Sequence, residues 1–156
     1  MPVKSLLKIK HLREESASRH LAKTKQELTE KESALKTKEK ELADFIVFKK
    51  QEKIRLFEEL KAKKDVVMKE VNISHHYVSN LNLKEAEKNQ LVNEAKKALE
   101  NATQAYEDAK ADYFKKYKDK RKIEEIYQEI TQIEEAIVLY KEEMEQEDIA
   151  SRAKIQ

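Results

Sequence analysis

The chain of 156 residues contains no glycine, no cysteine, no tryptophan and one proline, at position 2. Without glycine there is no phosphate-cradling loop, no dinucleotide-binding turn and no glycine-based hairpin turn, which argues against a nucleotide enzyme or an all-β domain. Charged residues at 41% and hydrophobic residues at 39%, with a net charge of +2, are the balance of long solvated helices rather than of a thick core.

The charge is uneven. Residues 1–78 carry 19 basic and 13 acidic side chains, whereas residues 79–156 carry 14 and 18. Neither half is basic enough, or rich enough in aromatics beside its cations, to form a nucleic-acid tract. The lack of cysteine fits a reducing compartment, and no apolar run approaches the length of a bilayer span. A cytoplasmic protein without direct membrane insertion is expected.

At the N-terminus, Val3, Leu6, Leu7, Ile9 and Leu12 form an apolar stripe flanked by Lys4, Lys8, Lys10 and Arg13. A basic amphipathic end of this kind suits docking on a protein partner, or packing against the tail, better than a membrane surface, because Glu14 and Glu15 follow at once. Next come Leu21, Leu28, Leu35 and Leu42 at seven-residue spacing, which places them on one helix face. The companion positions hold small or charged residues such as Ala17, Thr24 and Lys31, so the seam is thin. At Phe45-Ile-Val-Phe48 the pattern thickens, and its recurrence at Phe57, Leu60, Val67 and Val71 predicts a four-residue stutter.

Asn, Ser and His cluster between residues 72 and 82, and Asn82-Leu-Lys-Glu85 has the form of a helix cap. These signals predict a first arm over about 4–76, a turn at 77–82 and a second arm over about 83–150. In the second arm, Leu91, Ala95, Ala98, Ala102, Ala105 and Ala109 alternate at steps of four and three. Ile123, Ile126, Ile130, Ile133, Ile137, Tyr140 and Met144 resume the same frame. Folding about residue 79 pairs positions whose numbers total 158: Leu21 with Ile137, Leu28 with Ile130, Leu35 with Ile123. It sets Phe57 and Leu60 near Ala102 and Ala98, and Val3 beside Ile155. The predicted fold is all-α, a long antiparallel two-helix coiled-coil hairpin.

Catalysis finds no support. The histidines at 11, 20, 75 and 76 are not spaced as a metal clamp, and paired carboxylates such as Glu124 and Glu125 need a cleft that a two-helix hairpin does not offer. No enzyme activity, metal or cofactor is expected. Self-association as a parallel coiled-coil scaffold is the alternative to a binding function.

Two segments carry a resemblance. Leu6-Leu7-Lys8-Ile9-Lys10-His11-Leu12-Arg13-Glu14 resembles the L-x-x-[VI]-K-x-L-R-x-E start of YscO proteins of type III secretion systems. Phe45-Ile-Val-Phe48 through Glu52, Arg55, Leu56, Phe57 and Glu58 is similar to the family's aromatic stretch ending in E-x-x-R-L-F-[DE], with Phe48 where tryptophan is expected. The resemblance covers residues 5–60. It implies, as for the flagellar counterpart FliJ, a cytoplasmic antiparallel hairpin whose paired ends enter a hexameric secretion ATPase at the inner membrane, and the intramolecular pairing of the leucines fits a monomer. It further implies contact with the export gate protein and escort of translocator chaperones in virulence-related secretion. On that reading Leu6, Leu7, Ile9, Leu12 and Arg13 face the ATPase, while Phe45, Phe48, Arg55 and Phe57 form seam or partner surface.

Overall fold

The computed structural model describes residues 2–155, with the side chain of Ile155 outside the description. It consists of two helices, α1 over Pro2–Ala62 and α2 over Met68–Ile155, and contains no strand among the described residues. The chain divides into two compact units. One holds the residues up to Leu21 with those from Ala109 on, and the other is Ala22–Asp108.

The reversal lies at residues 63–67, not at 77–82. There the carbonyl of Val67 accepts the amides of Glu70 at 3.0 Å and Val71 at 3.3 Å, opening α2. Arm boundaries of 4–76 and 83–150 are therefore corrected to 2–62 and 68–155. Residues 72–82 remain helical because their poor helix formers point outward: Asn72, His75, His76, Asn80 and Asn82 are exposed, while Tyr77 and Val78 are half-buried and Leu81 is 3% exposed. A poor helix former costs at most about 0.7 kcal/mol per residue, less than the burial of one leucine returns. Tertiary packing overrides the local turn signal.

Within Ala22–Asp108 the two helices run antiparallel, and Lys49 pairs with Glu85. Within the other unit Lys120 pairs with Glu14. In both pairs the residue numbers total 134. The pairing of Leu21, Leu28 and Leu35 with Ile137, Ile130 and Ile123 is accordingly overturned, as is that of Phe57 and Leu60 with the alanines. In the observed register Leu28, Leu35 and Leu42 lie level with Tyr106, Leu99 and Val92. Leu21 lies level with Tyr113. The placement of Val3 beside Ile155 falls on a side chain outside the described residues, and Val3 itself is half-buried at the level of residue 131.

The inward face of α1 runs through Leu21, Thr24, Leu28, Leu35, Lys38, Leu42, Phe45, Lys49, Glu52 and Leu56 at steps of three and four, except for one step of seven from Leu28 to Leu35. No stutter interrupts this face at Phe45, because Lys49 and Glu52 occupy positions that apolar residues fill elsewhere. Phe57, where the shifted pattern was expected to return, is 67% exposed. Ala17 and Thr24 are among the most buried residues, so the small companions do not leave the seam empty but let the backbones approach. On α2 the expected frame is half correct. Ala95, Ala102, Ala109, Ile123 and Ile130 face inward, but the intervening position falls one residue later, on Val92, Leu99, Tyr106, Tyr113 and Tyr127. Leu91 and Ile126 are exposed in consequence.

Candidate functional site

In a two-helix fold any partner must be met by side chains that the seam leaves uncovered, so the sequence-selected residues divide by face. Leu7 is half-buried on the inward face of α1, one heptad ahead of Glu14. Leu6, Ile9 and Leu12 point away from it and are exposed, together with Lys4, Lys8 and Arg13. Residues 2–13 contain no carboxylate, so the start of α1 presents apolar surface among cations, while Glu124, Glu125 and Glu129 lie level with it on α2.

Lys120, from α2, anchors this region by donating to Glu14 Oε2 at 2.7 Å. Both side chains are largely covered, and the hydrogen bond to Glu14 holds the Lys120 ammonium above the usual lysine range against the opposing effect of burial. Glu14 also lies 3.8 Å from His11, whose other ring nitrogen is 3.0 Å from Glu15. The first carboxylates of α1 are thus engaged within the unit, and the cations before them have no such partner among the described residues.

The second group does not form one surface. Phe45 is half-buried, with Lys88 Nζ 5.5 Å from its ring centroid and the Phe48 ring 6.0 Å away. Ile46, Val47 and Phe48 are exposed, and Ile46 borders shallow grooves with Leu42, Asn82 and Glu85 and with Lys50 and Lys53. Arg55 is already satisfied. Its Nη2 donates to Glu52 Oε2 at 2.7 Å and its Nη1 to Glu59 Oε1 at 2.7 Å. Glu52 also accepts the Tyr77 hydroxyl at 3.0 Å, a contact the sequence did not reveal because Tyr77 was assigned to the turn. The hydrogen bonds from Arg55 and then Tyr77 hold Glu52 below the usual carboxylate range. Glu52 in turn raises the Arg55 guanidinium and, with a smaller effect of burial, the Tyr77 hydroxyl. The Tyr77–Glu52 bond ties α1 to α2, with Phe48 and Phe57 exposed nearby, and the Arg55 guanidinium, itself half exposed, has its charge matched by Glu52 and Glu59 on α1.

Sequence periodicity also misassigned the end of α2. Ile133, Ile137, Tyr140 and Met144, expected in the seam, are all exposed, because α1 begins at the level of about residue 131.

Comparison with known proteins bears on this arrangement. The family model described as type III secretion protein YscO matches residues 3–152. The chain belongs to the YscO family. A solved YscO structure, the 2.8 Å crystal structure of type III secretion protein YscO from Vibrio parahaemolyticus, is similar over 94% of this chain and 91% of that chain, with a TM-score of 0.81 and 26% identity. No curated protein sequence matches. The YscO match extends through α2, far beyond residues 5–60, which carry the motif resemblance. No helix among the described residues is long and apolar enough to cross a membrane, and no group of three or more metal-ligating side chains occurs among them.

Proposed function

We propose that this YscO protein is a non-enzymatic linker of a type III secretion apparatus, docking through the start of α1 on the hexameric secretion ATPase. Contact with the export gate and escort of translocator chaperones complete the reading, with the exposed Phe48 and Phe57 as surface for one of those partners. The observation that carries it is the uncovered, carboxylate-free face of Leu6, Ile9, Leu12 and Arg13 in a chain of this family. Such a linker acts by binding some states of the ring more tightly than others; only that difference in affinity biases the ring, and the ring supplies the hydrolytic chemistry.

The test mixes the full chain with the secretion ATPase of its own organism and follows ring assembly and hydrolysis. Leu12→Asp replaces an exposed apolar contact by a charge and is expected to weaken the effect about tenfold or more, with the fold of the free protein unchanged. Leu7→Asp lowers stability as well, because Leu7 belongs to the seam. Assembly and hydrolysis indifferent to Leu12→Asp and Ile9→Asp would falsify the docking assignment. A parallel leucine-zipper scaffold is disfavoured, since Leu28, Leu35 and Leu42 are already half-buried within their own unit.

A further inference from the structure

From about residue 132 on, α2 has no helix beside it among the described residues, and its whole circumference is exposed. Ile137, Val138, Leu139 and Tyr140 are consecutive apolar residues about 100° apart, so they cover most of the way round the helix. They are 48%, 54%, 59% and 62% exposed, and Ile133 and Met144 extend the apolar surface one turn to either side. A helix segment apolar on every side is the signature of one buried by neighbours.

What covers it is indicated by charge. Residues 132–154 carry seven carboxylates against three cations, and five of the seven, Glu142, Glu143, Glu145, Glu147 and Asp148, lie just beyond the apolar segment. The complement is in the same unit: residues 2–13 carry four cations and no carboxylate. Within one molecule the two cannot meet in full, because α1 starts level with residue 131 and the acidic stretch lies beyond it.

We propose that the end of α2 pairs antiparallel with the same segment of a second copy of this chain, about a two-fold axis near Ile137. That symmetry sets Ile137 against its counterpart and Ile133 beside Tyr140. It brings residues 142–148 of each copy level with residues 126–132 of the other, where the second copy's α1 presents Lys4 and Lys8 with the exposed Leu6. An antiparallel pair thereby buries the apolar segment and matches acid to base twice, as an isologous interface requires. A parallel pair stacks the acidic stretch on itself, with like charges opposed. The pairing does not depend on docking to the ATPase. It covers part of the same end, so the two associations compete.

The test is sedimentation of the full chain from about 1 µM to about 100 µM, the range over which a weak dimer forms. The expected result is a rise toward twice the monomer mass at low salt, reversed by added salt as the flanking charges are screened. Ile137→Asp abolishes the rise while leaving helicity and melting temperature at the lowest concentration unchanged, because Ile137 is exposed and lies beyond the level at which α1 begins. Glu142→Lys with Glu147→Lys also abolishes it, and adding Lys4→Glu with Lys8→Glu restores it in part. A single spin label at position 151 in the dimer gives a separation on the order of 40 Å, from twenty-eight residues of offset at about 1.5 Å each. A monomer throughout the range, a dimer indifferent to Ile137→Asp, or a short distance between labels at 151 overturns the proposal.

Discussion

The Tyr77 hydroxyl donates a 3.0 Å hydrogen bond to Glu52 Oε2, joining two residues that lie on different helices and are separated by 25 positions in sequence. This contact exists only because the chain reverses at residues 63–67. A reversal at 77–82 puts Tyr77 in the turn itself and leaves Glu52 facing a different part of α2.

Register is the first expected outcome. Spin labels at the exposed positions Lys50 and Lys84, which lie level across the seam, should report helices at an interaxial spacing of about 8–10 Å plus the label arms. Labels at Lys50 and Asp108, level only if the turn is centred on residue 79, should be roughly 36 Å apart along the axis, from twenty-four residues of offset. A short distance for the second pair rejects the observed register.

Acid should loosen the clamp around Glu52. Its carboxyl is held below the ordinary value in the folded state, so its contribution to stability is present above the unfolded carboxylate pKa and is lost as pH falls through the lower folded value. Denaturant midpoints measured from pH 7 downward should fall less steeply in Glu52→Gln than in the parent, because the variant has already lost that proton linkage.

Alkali tests the same cluster from the other side. The Tyr77 hydroxyl is raised, so its contribution is present below the unfolded tyrosine pKa and is lost as pH rises through the folded one. Lys120, raised by Glu14, follows the same sign. Tyr77→Phe should flatten the alkaline limb of the stability profile, and ultraviolet titration of the tyrosines should lose its latest-ionising component.

The Glu14 and Lys120 pair should be worth more than a surface ion pair, since both side chains are largely covered and the donor distance is 2.7 Å. A double-mutant cycle with Glu14→Gln and Lys120→Met should give a coupling of about 1–2 kcal/mol in chemical denaturation. A coupling indistinguishable from zero places the pair with solvated surface bridges.

Leu81 is 3% exposed and sits where a turn was expected. Leu81→Ala should therefore cost about 2–4 kcal/mol, the range for truncating a buried leucine, as read from thermal or denaturant unfolding. A residue in a solvated turn loses only a few tenths of a kcal/mol.

Heptad spacing alone identified the face of α1, because Leu21, Leu28, Leu35 and Leu42 repeat on one side of any helix whatever the partner. The aligned alanines of α2 were legible for the same reason. The companion residues Val92, Leu99 and Tyr106 were not, since steps of three and four are equally helical and only the partner selects between them. At the candidate site, the exposed Leu6, Ile9 and Leu12 could be named from sequence. The ion pairs of Arg55 were not legible, because its two carboxylate partners, at spacings of three and four, are common on any charged helix, and Tyr77, the residue that completes the cluster, comes from the other arm.

The sequence by itself determined that this protein is helical, two-armed and of the YscO type, because those properties follow from periodicity, the absence of glycine and two local motifs. Only the tertiary structure decided where the chain turns and which apolar residues remain uncovered. Turn residues such as Asn72, Ser74 and His75 bias the backbone by fractions of a kcal/mol each, and a seam of tens of residues outweighs them. Shifting that seam by twenty-four residues of register, from a total of 158 to one of 134, moves Ile133, Ile137 and Tyr140 from the interior of a hairpin to an open helix end.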